Sequence, residues 1–200
     1  MEKGRCTQPT RVSYIYLNLL GKLERLIGMA DYRLDIASLA DENDINDILT
    51  ASYTTLLKND YSNDALALAL PRMTKANPVL LKSGRFYVVR TMANEAAVCG
   101  GWSYERPGTS SQIGGEIEPG IAHIRHFAVH PAHLKRGAGR LLLETCLRNA
   151  PDASTFECYS TFSAEAFYAS LGLEKVKPLT VDMGQGVSLP QYHDEKSCFS

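Results

Sequence analysis

The sequence predicts an α/β fold with a mixed β-sheet. Two apolar runs, at 85–90 and 96–104, flank a turn at Asn94-Glu95 and predict a β-hairpin. After them come a strand that ends at Pro131, a helix that ends near Asn149, and a second strand over 155–160. Segments that alternate between strand and helix favour an α/β arrangement.

Composition limits the function classes. The 200 residues suit one domain with a substantial core, and 44% apolar with 22% charged residues is typical of a globular chain. A net charge of −1 gives no general argument for nucleic acid or an anionic membrane as partner, and no apolar run is long enough to span a bilayer. The five scattered cysteines indicate reduced thiols and a cytoplasmic protein. Among them Cys158 is a poor candidate nucleophile, because no activating partner stands beside it.

The chain divides into an N-terminal extension over 1–30 and a domain over 31–200. A short amphipathic helix is predicted over Tyr14–Ile27. A targeting segment and a plain extension both remain open interpretations, and Met29 is an alternative start.

The first elements of the domain are a strand and two helices. Residues 32–39 alternate as a strand, Asp41 is the predicted cap of the first helix, and Ser62 caps the second, in which Pro71 predicts a kink or a break. The first helical turn is acidic. Its carboxylates are those of Asp41, Glu42, Asp44 and Asp47. They either attract an amine or form a solvated first turn, and we favour the solvated turn.

The most informative segment lies between the strand that ends at Pro131 and the following helix. It reads Lys135-Arg136-Gly137-Ala138-Gly139-Arg140. Glycines allow backbone N–H groups to approach a ligand closely, and a helix that starts there adds unpaired N–H groups and the positive end of its dipole. The segment therefore predicts a site for a phosphorylated ligand.

This segment has three other interpretations. A tight turn with solvated basic side chains is the simplest. The phosphate loop of nucleotide triphosphatases is excluded because G-x-x-x-x-G-K-[ST] is missing. A dinucleotide fingerprint needs a third glycine where Leu142 stands, although Glu157 lies about where a ribose-binding acid would, so this stays a minor alternative.

Two motifs resemble those of the GNAT (Gcn5-related) N-acetyltransferases. The segment Leu134–Gly139 fits the coenzyme loop [QR]-x-x-G-x-[GA] at both small positions, with Leu134 where the family usually has Gln or Arg. The segment Phe156–Leu173 resembles the family's next strand and the helix that ends in F-Y-x-x-x-G-[FL]. The motifs occur in family order at a family-like separation, and the coarse resemblance runs from about Asp31 to the C-terminus.

The resemblance implies one domain with a mixed, mostly antiparallel sheet flanked by helices, and an N-acetyltransferase that uses acetyl-CoA. It implies that Tyr168 lies near the coenzyme sulfur and protonates the leaving thiolate, for which a phenol is suited because it is protonated at neutral pH. Packing beside Phe167 is the plainer role of Tyr168. The coenzyme-binding residues that the resemblance implies are Phe127, Ala128, Val129, Lys135, Arg136, Gly137, Ala138, Gly139, Arg140, Ser163 and Tyr168.

Four histidines lie close together in the sequence: His123, His126, His130 and His133. On a strand, His123 points away from His126 and His130, and no cysteine or carboxylate joins them at metal-ligand spacing, so no metal is predicted. His126 is the predicted base acting on the amine.

Three further features of the domain have a sequence signal. Ser163 is the predicted cap of a helix that Gly172 closes. The loop over 106–120 is rich in Gly, Ser and Pro. Trp102 and Tyr104 either form the wall of a pocket or pack in the core.

The expected partners are acetyl-CoA and a primary amine, of a small molecule or of a peptide or protein. A non-catalytic acyl-CoA sensor is the alternative function, and a homodimer is one assembly that the sequence permits.

Overall fold

The computed structural model describes residues 31–107, 115–184 and 187–197. The predicted helix over Tyr14–Ile27 and the alternative start at Met29 lie outside the described residues. So does the middle of the loop over 106–120. The proposed division of the chain at residue 30 stays a prediction.

One seven-stranded sheet organises the described chain. Its strands lie in the order β1-β2-β3-β4-β5-β7-β6. Only β4 and β5 are parallel, and every other neighbouring pair is antiparallel. The strands are β1 Tyr32–Ile36, β2 Phe86–Thr91, β3 Ala96–Ser103, β4 Ile121–Val129, β5 Thr155–Ser160, β6 Glu174–Gly184 and β7 Val187–Ser197. The predicted mixed, mostly antiparallel α/β fold is confirmed.

Helices cover both faces of the sheet. They are α1 Glu42–Leu56, α2 Asn63–Met73, α3 Pro78–Leu81, α4 Ala138–Arg148 and α5 Glu165–Ala169. Side chains of α4 such as Leu142 pack with Val89 and Val98 of β2 and β3. Ile48 of α1 packs with the alternate residue Val88, so α1 lies on the opposite face. Among the described residues, no helix is long and apolar enough to cross a membrane.

The start of α1 differs from the prediction. The strand β1 ends at Ile36, and Ser38 caps a 3-10 turn over Leu39–Asp41, where its hydroxyl accepts a hydrogen bond from the Ala40 amide. The side chain of Asp41 makes no cap bond with α1, because its carboxylate accepts from the Ser38 amide and from Arg90. Ser and Asp are both good caps, and the sequence does not show that the turn begins three residues earlier.

The second helix agrees with its predicted cap. The Ser62 hydroxyl accepts a hydrogen bond from the Ala65 amide at 3.3 Å. The helix continues through Pro71 and ends at Met73, so the proline does not break α2 but lies two residues before its end. A proline removes one intrahelical hydrogen bond, and this loss is tolerated best close to a helix end.

Two irregularities of β4 shape the centre of the fold. β4 and β5 pair only over Ile121–His123 and Thr155–Glu157, although both strands continue further. In the ladder with β3, Gly100 faces both His126 and Phe127, which is a β-bulge, and His126 has a positive φ of 46°. The splayed carboxyl ends of β4 and β5 leave a cleft beside the bulge.

Candidate functional site

The cleft between β4 and β5 opens into a cavity of about 1360 Å³. Its walls come from α1, the start of β1, the end of β2, β4, the loop after β4, and the segment that contains α5. It receives nearly all of the predicted coenzyme residues. They are Phe127, Ala128, Val129, Lys135, Arg136, Gly137, Gly139, Arg140, Ser163 and Tyr168. The exception is Ala138, whose side chain is buried in the core and does not line the cavity.

The two glycines of the loop have different physical roles. Gly137 is the N-cap of α4 and has a left-handed φ of 87°, while a Cβ placed there would meet nothing within 4 Å. Gly139 lies in the first turn of α4, where a Cβ would stand 3.3 Å from Phe167 and from Val129. Gly137 is therefore needed for the backbone turn, whereas Gly139 is needed for close packing of α4 on the site.

The cationic side chains of the loop surround this turn. Lys135 and Arg136 are exposed and line the cavity. Arg140 is held by Glu144 one helical turn on and by the Ser170 carbonyl at 3.3 Å. Lys135 has a positive φ of 60°, so two residues of this short turn are left-handed. Such turns direct amide groups into anion-binding concavities.

Ser163 lines the cavity but is not a helix cap. A 3-10 turn over Phe162–Ala164 precedes α5, and its N-cap is Thr161. The Ser163 amide donates to the Asp60 carboxylate at 2.8 Å, which joins this turn to the end of the segment after α1. Gly172 closes the helix region with a φ of 81°, as predicted.

Tyr168 lies where the large cavity meets a second cavity of about 420 Å³. The residues shared by both walls are Tyr53, Phe127, Thr161, Ala164 and Tyr168. The Tyr168 ring is 5% exposed and packs against Phe127 and Phe167. Tyr168 is therefore both a packed side chain and part of the wall that the two cavities share.

The side chains of Tyr168 and Cys158 are neighbours in the buried core. Burial, together with this neighbour, raises the pKa of Tyr168 well above its usual value, so the phenol stays protonated. Burial likewise raises the pKa of the Cys158 thiol to about 12. A protonated, buried thiol is a poor nucleophile, which agrees with the prediction from the sequence that Cys158 is a poor candidate nucleophile.

The four histidines do not converge on one point. His130 accepts a hydrogen bond from the Ala132 amide, and His133 lies 3.1 Å from the Tyr32 hydroxyl, so both have local structural contacts. His126 lines the smaller cavity. The nearest acidic group to His123 is Glu157 on β5, which the sequence spacing did not reveal.

Burial, and to a smaller extent the charge of Arg125, lowers the pKa of His126 to about 4. The unfolded chain binds that proton near pH 6.5, so the contribution to stability is complete above pH 6.5 and is lost as the pH falls towards 4. We expect His126→Gln to weaken the fall in unfolding free energy between about pH 7 and pH 5. Urea unfolding at these two pH values measures the fall in unfolding free energy. An identical fall in the parent protein and in His126→Gln would contradict the lowered pKa of His126.

Other candidate residues have structural roles. Arg90 is 8% exposed and pairs with Asp41 and Asp44 at 2.7 Å each, so these carboxylates are occupied within the fold. The Asp44 side chain is still 47% exposed, so the interpretation of a solvated turn is wrong only for Asp41, whose side chain is 20% exposed. Trp102 is buried against Tyr104, which supports the core role of both rings.

The sequence missed two residues of the smaller cavity. Tyr53 comes from α1, one turn after Leu49, and its spacing on the apolar face was the available signal. Arg125 is 9% exposed and donates to the Ser103 hydroxyl and the Glu105 carbonyl, both neutral acceptors. Nothing in the β4 pattern distinguishes Arg125 from an exposed strand residue.

The dinucleotide alternative is not supported. Glu157 is 5% exposed on β5 and does not line the large cavity, so it has no access to a ribose bound beside the loop. The third glycine that this alternative needs is also replaced, since Leu142 is fully buried in the core.

Residues 82–175 match the acetyltransferase (GNAT) domain family, and no curated protein matches the chain. A GCN5-related N-acetyltransferase structure from Rhodopseudomonas palustris, also described as a class-II aminotransferase, is 21% identical; the match covers 82% of this chain and 94% of that one with a TM-score of 0.61. PaiA N-acetyltransferase from Thermoplasma acidophilum, solved with coenzyme A, is 11% identical over 83% and 98% of the chains, also with a TM-score of 0.61.

A GCN5-related N-acetyltransferase from Kribbella flavida is 15% identical over 84% of this chain and 98% of that one, with a TM-score of 0.54. At these identities the solved structures show a shared fold, while the sequence match comes from the domain family. Residues 82–175 therefore resemble the GNAT acetyltransferase domain, and this match together with the shared fold supports acyl transfer from acetyl-CoA in general.

Proposed function

We propose that the protein transfers an acetyl group from acetyl-CoA to a primary amine by direct attack of the amine on the thioester. The observation that carries this proposal is the meeting of two cavities at Tyr168. The larger one takes the coenzyme and the smaller one takes the amine, so the reacting atoms come together at their shared wall. Direct transfer needs both substrates bound at once, and two adjacent cavities with a shared wall support this.

The coenzyme end of the reaction rests on β4 and the loop after it. Backbone amides of the loop Lys135–Arg140 and its cationic side chains bind the phosphates. Phe127, Ala128 and Val129 line the route to the smaller cavity, where the bulge interrupts pairing with β3. An amide freed by a bulge can donate to the thioester oxygen as that oxygen gains negative charge.

Two proton transfers complete the reaction. Tyr168 donates its hydroxyl proton to the leaving thiolate, which a phenol of raised pKa can do at neutral pH. His126 accepts a proton from the amine nitrogen, which becomes more acidic once it bonds to the carbonyl carbon. Because the pKa of His126 is lowered to about 4, its imidazole is neutral at neutral pH, and as a weak base it accepts the proton only from the acidic ammonium that the attack produces.

The charges of the smaller cavity narrow the acceptor class. Its charged lining residues in the described chain are Arg72, Lys75 and Arg125, and no described carboxylate lines it. Arg125 is hydrogen-bonded to neutral oxygen atoms, and burial lowers its pKa although the charge of the nearby Glu105 carboxylate acts in the opposite direction, so a further anion in the cavity would stabilise it. We infer that the acceptor carries a carboxylate or phosphate besides its amine.

A panel of amines tests the function and the acceptor class together. We expect release of coenzyme thiol with amino acids, and kcat/KM about tenfold or more higher for an amino acid than for its decarboxylated amine. Arg125→Met should reduce that preference more than it reduces the rate with the decarboxylated amine. No thiol release with any amine, despite tight acetyl-CoA binding, would favour the non-catalytic sensor. A preference unchanged by Arg125→Met would contradict the anionic acceptor.

Gly137→Val is expected to weaken acetyl-CoA binding by at least about tenfold. Valine meets no atom at this position but strains the left-handed backbone, by roughly 1–2 kcal/mol, and so distorts the turn that presents the amides. Calorimetric titration with acetyl-CoA measures the change. Gly84→Val is the control, because Gly84 is also left-handed with open space around it but does not line the cavity. Equal affinity in both variants would remove the loop from the site.

The location of the protein is also proposed. The three described cysteines, Cys99, Cys146 and Cys158, are free and buried. This supports the prediction of reduced thiols and a cytoplasmic protein.

A further inference from the structure

We propose a Zn²⁺ site on strands β5 and β7, formed by Glu157, His193 and Glu195. It is independent of acetyl transfer, since none of the three residues lines either cavity. One ligand atom from each of the three residues lies within 4.8 Å of the others, and this is the candidate metal-ligand group among the described residues. None of the three was singled out as a ligand from the sequence, because the histidine and one glutamate come from β7, far along the chain.

The distances between ligand atoms fit a tetrahedral metal. Nε2 of His193 lies 3.4 Å from Oε2 of Glu157 and 3.3 Å from Oε1 of Glu195. Two ligand atoms about 2.1 Å from one Zn²⁺ and separated by the tetrahedral angle are about 3.4 Å apart. The separations therefore match two edges of a zinc coordination shell, and they exceed the length of a good N–H···O hydrogen bond.

Buried polar atoms without partners are a second, independent observation. Glu157 is 5% exposed and His193 is 8% exposed. Oε2 of Glu157 and Nε2 of His193 have no hydrogen-bond partner in the described chain. These are the two atoms that would bind the metal, and leaving such buried groups unpaired is costly.

The charges of the two strands point to a cation in the same place. Glu157 and Glu195 are directly opposite residues of the β5–β7 ladder, so their side chains share one face of the sheet. Like charges in this position destabilise a sheet, and Glu157 is buried. A divalent cation between the carboxylates removes the repulsion and joins β5 to β7.

His123 supports the site from the neighbouring strand. Its ring is 1% exposed, and Nδ1 lies 3.4 Å from Oε2 of Glu157, whose residue is its register partner on β5. Neither ring nitrogen has a hydrogen-bond partner in the described chain. We assign His123 as a positioning residue that orients the carboxylate of Glu157, as outer-shell partners of metal ligands do.

The ligand types favour Zn²⁺ over the harder cations. One imidazole and two carboxylates suit zinc with a fourth position for water, whereas Ca²⁺ and Mg²⁺ prefer oxygen ligands only. The competing arrangement is a protonated His193 between two carboxylates. The single hydrogen on Nε2 cannot make a good bond to both carboxylates, which lie on either side at almost equal distances.

Calorimetric titration of untagged, chelator-stripped protein with ZnCl₂ tests the proposal. We expect one bound Zn²⁺ per chain and a rise in melting temperature that EDTA reverses. Glu195→Gln and His193→Gln should each weaken binding by about 100-fold or more, and His123→Gln by about 10–100-fold. Glu195 is partly exposed, so its replacement by an amide of the same shape leaves the fold intact.

Two matched controls separate this site from adventitious binding. Glu116→Gln removes an exposed carboxylate, and His130→Gln removes an imidazole outside the cluster; both should bind Zn²⁺ as the parent protein does. Visible absorption after Co²⁺ titration should show tetrahedral coordination in the parent and be lost in Glu195→Gln. Absence of Zn²⁺ binding, or equal binding by the parent and Glu195→Gln, would overturn the site in favour of a protonated histidine.

Discussion

Tyr168→Phe is expected to lower kcat by about 10²–10⁴-fold while leaving acetyl-CoA affinity nearly unchanged. The substitution keeps the ring that packs against Phe127 and Phe167 and removes only the hydroxyl. If that hydroxyl protonates the departing thiolate, its interaction strengthens in the transition state, so the loss falls on kcat.

The contact with Cys158 supplies a matched control. Cys158 and Tyr168 are buried neighbours, so the thiol lies close to the hydroxyl that we assign to the coenzyme sulfur. Cys158→Ala removes this thiol and keeps the phenol. We expect Cys158→Ala to retain turnover, although it is not isosteric and leaves a small cavity. A turnover loss in Cys158→Ala as large as that in Tyr168→Phe would assign the pair a structural role.

Steady-state kinetics with one amine, together with direct coenzyme titration, measure the effect. An activated acyl donor with a better leaving thiol should partly restore the rate of Tyr168→Phe, because its thiolate needs less help from an acid. Parent-like turnover in Tyr168→Phe would exclude the general-acid role. Equal losses in turnover and in coenzyme affinity would instead show that the hydroxyl supports the shape of the cleft.

The sequence predicted the elements that have a local signal. The hairpin of β2 and β3 is marked by Asn94, whose φ of 70° suits the predicted turn, and the strand β5 was predicted with its observed bounds. The coenzyme loop is likewise local, since the sequence of small and basic residues directly specifies the left-handed turn at Gly137 and the start of α4.

Features that depend on contacts between distant segments were not predictable. Asp41 resembles a helix cap, and only the position of Arg90 on β2 explains why its carboxylate turns away. Ser163 resembles a cap as well, but its amide is taken by Asp60, over a hundred residues earlier. The Glu157, His193 and Glu195 cluster needs the order of β5 and β7 in the sheet, which no spacing along the chain encodes.

The β-bulge was not predicted, although a glycine inside a strand pattern is a signal for one, and it lies beside the wall that the two cavities share. It depends on Gly100 of β3, which has a φ of 157° and lies opposite His126 and Phe127. A Cβ at this position would stand 2.9 Å from the Phe127 ring and 3.1 Å from the Phe127 Cα. The missing side chain of Gly100 is therefore what allows β4 to bulge towards β3.

Gly100→Ala is expected to destabilise the protein by roughly 1–3 kcal/mol from overpacking, with further strain from the backbone conformation. Because the Phe127 backbone cannot yield as a flexible side chain would, the substitution pushes β4 and shifts a wall of both cavities. We therefore expect lower stability and weaker acetyl-CoA binding in the same variant. Thermal melting and calorimetric titration measure the two effects.

Gly84→Ala separates backbone strain from the steric push. Gly84 has a φ of 70°, and a Cβ there would meet no atom within 4 Å, so alanine adds strain without contact. The control should therefore lose a modest amount of stability, about 1–2 kcal/mol, and keep the acetyl-CoA affinity of the parent. If Gly100→Ala also keeps that affinity, the bulge tolerates the added methyl group, and Phe127 is not held in place by the glycine opposite it.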